Sequence, residues 1–172
     1  YEFMGLKCSI GEVANRIQAS TLQDKGVLAN CHVNVLQTQD HPQFKTYSEE
    51  LKWLTTDPTR MSWVANTIKD IATSGNTLIL VDRISAGEML EKKIKDSVFV
   101  SGSTKNMDRK EQYDEISTAT NKVIIATYGV AAVGINIPRI FNLVLIEPGK
   151  SFVRVIQSIG RGIRKAEDKD SV

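Results

Sequence analysis

The amino-acid sequence predicts a three-layer α/β domain built on a central, mainly parallel sheet. Three observations predict it. Four short runs, Thr77-Leu-Ile-Leu-Val81, Ser97-Val-Phe-Val100, Lys122-Val-Ile-Ile-Ala-Thr127 and Asn142-Leu-Val-Leu-Ile146, are apolar almost throughout, as strands are when helices cover both faces of their sheet. Helical segments alternate with these runs from residue 59 onward, the order that a parallel sheet requires. At 172 residues the chain suits one domain with a sizeable core.

Taken in chain order, the first 45 residues are irregular. A helix is expected over residues 11–24, and a strand over residues 32–39, where Val33 and Val35 share a side. Asp40-His-Pro then breaks the pattern. A short helix follows at 48–54. Asp57-Pro58 opens the next one, with proline in its first turn. Met61, Val64, Ile68 and Ile71 recur there at helical spacing, and Gly75 stops it. After the first strand, Ser85-Ala-Gly-Glu88 reads as a capping box for a helix to about Lys95. The second strand leads through a polar loop, 101–106, to a helix over 108–118. The third strand is followed by a loop over 126–138 and by the fourth strand, after which Ser151 caps the last helix. Ligands of such sheets bind beyond the carboxyl ends of the strands. The segments after Val81, Val100, Thr127 and Ile146 therefore form the functional edge.

Composition narrows the function classes. Hydrophobic content of 41% and charged content of 24% are ordinary for a soluble globular protein. A net charge of +2 demands no nucleic-acid partner. Residues 83–110 and 139–172 each carry seven Lys/Arg against four Asp/Glu, a balance that permits phosphate binding. Cys8 and Cys31, with His32 and His41, lack metal-ligand spacing, so no metal site is expected. Two reduced thiols in a cytoplasmic setting are expected instead. No apolar run is long enough to span a membrane, and no signal peptide is visible. The chain opens at Tyr1 and stops in a charged stretch, which reads as a piece of a longer polypeptide.

The chemistry on the functional edge looks like half of a site. Gly129 and Gly134 have the spacing of a phosphate-cradling loop, but Ile135 and Asn136 stand where lysine and Ser/Thr are needed. Asp114-Glu115 lies inside a polar helical stretch, the pattern of a solvated face rather than of a magnesium site. Both histidines and both cysteines precede the regular region, so no hydrolytic triad is expected. What remains is directed at phosphate: Thr127, Gly134, the small loop Ser101-Gly102-Ser103-Thr104, and Gln157, Arg161 and Arg164 at i, i+4 and i+7. These last three share one face if the helix continues past Gly160 and Gly162, and both arginines are expected to leave from the functional edge. The arginine fork suits phosphate oxygens, although two cations also suit a solvated helix end.

The ordered series resembles the second RecA-like domain of a superfamily 2 helicase. Residues 77–82 look like motif IV. Val100-Ser-Gly-Ser-Thr104 with Asp108-Arg109 is similar to the segment between motifs IV and V. Ile124 to Pro138 looks like motif V, and Gln157-Ser-Ile-Gly-Arg-Gly-Ile-Arg164 looks like motif VI in its QxxGRxxR form. The motifs cover about 90 of the 172 residues. The overall run more narrowly resembles phage recombination DNA helicases of the UvsW type.

The resemblance implies a RecA-like fold without its own P-loop. It implies ATP with Mg2+ as cofactor, bound mainly by a first RecA-like domain of the same chain. Residues 1–45 are then the end of that first domain and the crossover, and residues 46–172 the second domain. By position Arg161 and Arg164 become arginine fingers, Gln157 couples nucleotide to cleft closure, and Gly134 and Asn136 join them at the nucleotide. Arg83, Gly102, Ser103, Thr104, Thr127 and Tyr128 are implied contacts to single-stranded or branched DNA. The family often has Asp at the position of Asn136 and His at that of Gln157. This chain alone is expected to have negligible ATPase activity. A phage-encoded member works in the host cytoplasm. Two other readings stay open, a non-catalytic RecA-like nucleic-acid-binding module and the motor part of a restriction endonuclease subunit.

Overall fold

The structure is a computed structural model that describes residues 2–39, 42–102, 118–134, 139–147, 149, 152–164 and 166–172. The four apolar runs form strands β1 (Thr77–Val81), β2 (Ser97–Val100), β3 (Val123–Thr127) and β4 (Asn142–Leu145). They make one sheet in the order β2-β3-β1-β4, every pair parallel. Thr77 lies opposite both Val123 and Asn142, and Ser97 opposite Val123, so the strands start almost level. Their carboxyl ends therefore share one edge, as expected.

Alternation sends the side chains of each strand into two separate layers. Ile79, Val81, Val123 and Ile125 pack with Met61, Val64, Ala65 and Ile68 and with Ala86 and Leu90. Leu78, Leu80, Ile124 and Ala126 pack on the other face with Tyr128, Val130, Ala131 and Ile140. All five β1 residues are buried. Burying each large aliphatic side chain contributes about 1.5–3 kcal/mol, so the centre of this sheet is the main source of stability.

Among the described residues the helices are α1 (Glu2–Ile10), α2 (Ala19–Asp24), α3 (Tyr47–Thr56), α4 (Pro58–Ala72), α5 (Ile84–Lys93), α6 (Tyr128–Gly134) and α7 (Phe152–Gly162). Local chemistry explains the boundaries of α3 and α4. The Thr46 hydroxyl accepts from the Glu49 N–H at 3.3 Å, and the Asp57 carboxylate from the Arg60 N–H at 2.8 Å, each relieving one of the orphan donors of a first turn. After α4 the chain turns at Gly75 with φ +147°. A Cβ there would stand 2.8 Å from Phe141, so only glycine fits between α4 and β1.

Several expectations are corrected. Residues 32–39 form no strand, and Val33 and Val35 are 71% and 86% exposed. Beyond the His32 N–H, which donates to the Val172 carbonyl, these residues join no strand of the sheet, and both valines lie outside the apolar core. The helix expected over 11–24 shrinks to α2, while α1, not expected, ends where Gly11 takes φ +91°. Ser85 is not a cap. Arg83 holds the N-cap position of α5 without a side-chain cap bond, because the buried end of β1 sets the start of the helix two residues earlier. The stretch after β3 becomes helix at once, as α6, where Val130 and Ala131 are buried. The helix expected at 108–118 and the Ser151 cap lie outside the described residues, apart from Thr118 at the former's end.

The irregular N-terminal segment is tied to the last residues of the chain. Leu28 opposes Arg164 in an antiparallel bridge, and Asn30 opposes Ser171 in a parallel one. The N–H groups of Ala29, Asn30 and His32 donate to the carbonyls of Ile163, Asp170 and Val172 at 2.9, 2.8 and 2.8 Å, and the Val172 N–H donates to the Asn30 carbonyl at 2.9 Å. Ala29 is fully buried beneath this strap.

Candidate nucleotide and nucleic-acid site

The strand order decides what the carboxyl edge assembles. β3 lies between β2 and β1, so Thr127 at its end is flanked by Gly102, two residues past β2, and by Arg83, two residues past β1. Adjacent strands lie about 4.8 Å apart, so the three positions span about 10 Å. Thr127 sits opposite Val81 and is half-buried. Gly102 is exposed, with no atom within 4 Å of where a Cβ would stand, while Ser101 before it is buried. Arg83 is half-buried at the start of α5. The edge thus combines a hydroxyl, an exposed glycine and a cation, a set suited to a phosphodiester backbone. Ser103 and Thr104 lie outside the described residues.

Tyr128 does not join them, which corrects its expected role as a strand contact. It is 6% exposed and belongs to the core layer on one face of the sheet. Its hydroxyl donates to the Ile146 carbonyl at 3.3 Å. Helix α6 begins immediately after β3, and that turn points the tyrosine under the end of β4 instead of out of the edge.

An ion pair not foreseen from the sequence braces the β4 side of the same edge. Glu147 follows β4 with φ +45°, and its carboxylate accepts from Arg60 Nη2 at 2.7 Å. Arg60 Nη1 also donates to the Leu54 carbonyl at 2.5 Å. The pair neutralises the Glu147 carboxylate and ties α3, α4 and β4 together. No group of three His, Cys, Asp or Glu side chains that could hold a metal occurs among the described residues.

Helix α7 carries the second group of candidates. It starts beyond the carboxyl edge and runs back along β4. A Cβ on Gly162, its last residue, would meet Leu143 Cδ2 at 3.3 Å, and Leu143 is the second residue of β4. Helix α7 thus carries its C-terminal end, and the backbone of Arg164 beyond it, away from the carboxyl edge from which both arginines are expected to leave. Gln157 is exposed on the helix, Arg161 lies one turn further in its last turn, and Arg164 lies beyond the helix end. The i, i+4 relation of Gln157 and Arg161 stands, but Arg164 leaves from extended backbone opposite Leu28 and is half-buried. The surroundings of the Arg161 side chain and all of Asn136 lie outside the described residues, and Gly134 ends α6.

Lys169, which nothing in the sequence singled out, is 1% exposed beside this helix end. Its Nζ donates to the Gly162 carbonyl and, at 3.0 Å, to the Arg164 carbonyl. Desolvation by burial pushes its pKa down from 10.5 to about 8. As a donor set, two guanidinium-bearing positions and a glutamine fit the oxygens of a triphosphate. They supply no carboxylate for its magnesium ion.

Comparison with known proteins agrees with this geometry. Residues 59–166 match the family described as "Helicase conserved C-terminal domain". The chain is 28% identical to the "ATP-dependent DNA helicase uvsW" of Enterobacteria phage T4 over 170 residues, 92% of this chain and 34% of that protein. It is 29% identical over 129 residues to "Putative helicase 22" of a Sulfolobus islandicus filamentous virus, covering 73% of this chain and 23% of that one. The chain thus spans about a third or less of the length of these relatives. The crystal structure of T4 UvsW superposes with a TM-score of 0.63 at 27% identity, over 74% of this chain and 27% of that one. A likeness to S. cerevisiae Dbp5 bound to RNA and ADP BeF3 has a TM-score of 0.51 at 22% identity, over 60% of this chain and 29% of that one, and shows the fold alone.

Proposed function

The chain belongs to the helicase conserved C-terminal domain family, and from that membership we propose that it is the second motor domain of an ATP-dependent DNA helicase or translocase that remodels branched DNA in replication, recombination or repair. The observation that carries this reading is the pairing of a phosphate-suited carboxyl edge with a helix that carries Arg161 in its last turn and is followed by Arg164, in a stretch of sequence without a P-loop. Such a domain is complete as a gripping surface and incomplete as an ATPase. The name of the phage T4 relative supports DNA as the strand gripped. For a phage-encoded protein the compartment is the host cytoplasm.

In this reading Arg83, Gly102, Ser103, Thr104 and Thr127 hold the backbone of one strand. Arg161 and Arg164 face the γ-phosphoryl of an ATP whose P-loop and magnesium carboxylate belong to the first domain, and their cations offset charge that develops during transfer. Gln157, Gly134 and Asn136 complete the second domain's side of the nucleotide site, and Gln157 couples nucleotide to closure of the cleft. Residues 1–45 are the end of the first domain and the crossover, with Leu28 to His32 docking onto the second domain. What supports the nucleotide side is the arginine spacing in motif VI and the family match that includes it.

The test is Arg164→Ala in the full-length polypeptide. An arginine finger contributes about 10³–10⁵ in rate in other NTPases, so ATP turnover should fall at least 10³-fold while strand binding stays near wild type. Equal loss of both would assign Arg164 a folding role and sink the nucleotide reading.

A further inference from the structure

We propose that Lys169 is a positioning residue for Arg164, locking the backbone from which the arginine departs by holding the carbonyl of Gly162, two residues before it, and that of Arg164 itself. The proposal rests on the nucleotide reading of Arg164.

A helix end leaves its last carbonyls without intrahelical partners. At the end of α7 three successive carbonyls are taken up from two directions. Lys169 Nζ accounts for Gly162 and Arg164, and the Ala29 N–H accounts for Ile163 at 2.9 Å. Lys169 reaches back because the chain reverses between Ala166 and itself, where the Lys169 N–H donates to the Ala166 carbonyl at 3.1 Å and the two residues form a bridge. Arg139 Nη2 braces that turn through Asp168 Oδ2 at 2.8 Å. A lysine with 1% exposure is unusual, since lysine is almost never fully buried unless paired. This one is spent on the carbonyls of Gly162 and Arg164, which bracket the two-residue stretch Ile163–Arg164. Both Lys169 and the Leu28 to His32 strap lie outside the stretch that matches the family.

The functional consequence follows from geometry. A finger acts only if its guanidinium arrives at the transferred group, and a displacement of about 1 Å at a reacting centre can cost about 100-fold. Arg164 does not lie on the helix, so the helix alone cannot aim it. The strap on one side and Lys169 on the other fix its backbone.

The test is Lys169→Met in the full-length polypeptide, with steady-state ATPase kinetics, strand binding and a double mutant with Arg164→Ala. The expected result is a 10- to 100-fold fall in kcat, with KM for ATP and strand affinity within about two-fold of wild type, because only an interaction made in the transition state is lost. In the Arg164→Ala background the same change should have no further effect on the residual turnover, measured as single-turnover phosphate release. A folded Lys169→Met protein with kcat within two-fold of wild type overturns the proposal. An equal, additional loss in the Arg164→Ala background also overturns it, since Lys169 then acts independently of the arginine. If Lys169→Met does not fold, Lys169→Gln, whose N–H donors sit on a shorter side chain, is measured instead: a smaller fall in kcat of about 3- to 10-fold that vanishes in the Arg164→Ala background is expected, and a kcat within two-fold of wild type overturns the proposal. Wild-type turnover by Arg164→Ala alone would instead sink the nucleotide reading, whatever Lys169 does.

Discussion

Burying the Lys169 ammonium should make stability depend on alkaline pH. The group has a pKa of about 8 in the fold against 10.5 in its ordinary state. Between those values the unfolded chain holds a proton that the folded chain has released. Stability therefore rises with pH through this window, and the penalty for burying the charge is felt in full below about pH 8. From about pH 7.5 to about pH 9.5 the gain from this one group is about 2 kcal/mol, at 1.36 kcal/mol per pKa unit. Other lysines, tyrosines and cysteines titrate in the same range, so the quantity to follow is the difference between wild type and Lys169→Met. Urea unfolding monitored by fluorescence serves, because the chain's two tryptophans, Trp53 and Trp63, lie in the adjacent helices α3 and α4. Wild type should gain on the variant by about 2 kcal/mol over that span. A difference that is flat with pH, or that shrinks as pH rises, would show that the lysine keeps its ordinary pKa and that the ammonium is hydrated.

Two further perturbations test the edge and the core. Arg83→Ala should weaken single-strand binding about equally for all sequences and reduce the slope of log affinity against log salt by about 0.7–1, the signature of one lost phosphate contact; an unchanged slope in a binding titration would remove Arg83 from the strand path. Gly87→Ala would place a Cβ 2.3 Å from Phe99 Cε2. That overpacking between α5 and β2 should cost about 1–3 kcal/mol in urea unfolding, with strand affinity per folded molecule unchanged.

The parts of the fold that could be read from the sequence are those that local chemistry determines. A strand covered on both faces writes a continuous apolar run, so β1 and β3 were legible to within a residue. Asp57-Pro58 announced α4, because a capping carboxylate and a proline act within one turn. The alternation around Val33 and Val35 misled because a strand also needs a neighbour, which the sequence does not display. Tyr128 was a strand contact only by what the resemblance implied. Its burial depends on α6 starting without a loop, and so on Ile146 being close enough to accept its hydroxyl. Arg164 was legible as a cation at a motif position, but its departure from the helix follows from a bridge to Leu28, far away in the chain. Lys169 is the extreme case. Glu167-Asp168-Lys169-Asp170 reads as a solvated tail, and only a chain reversal onto the end of α7, closed over by the distant Leu28 to His32 strap, turns one member into a buried donor.

The central claim is that this domain lends cationic side chains to a nucleotide held by another domain while gripping a strand by itself. Arg164→Ala in the full-length polypeptide, with ATP turnover and strand affinity measured on the same preparation, tests it most directly. Turnover reduced at least 10³-fold with strand affinity within a few-fold of wild type is the predicted result. Turnover near wild type, or a parallel loss of both, would contradict it.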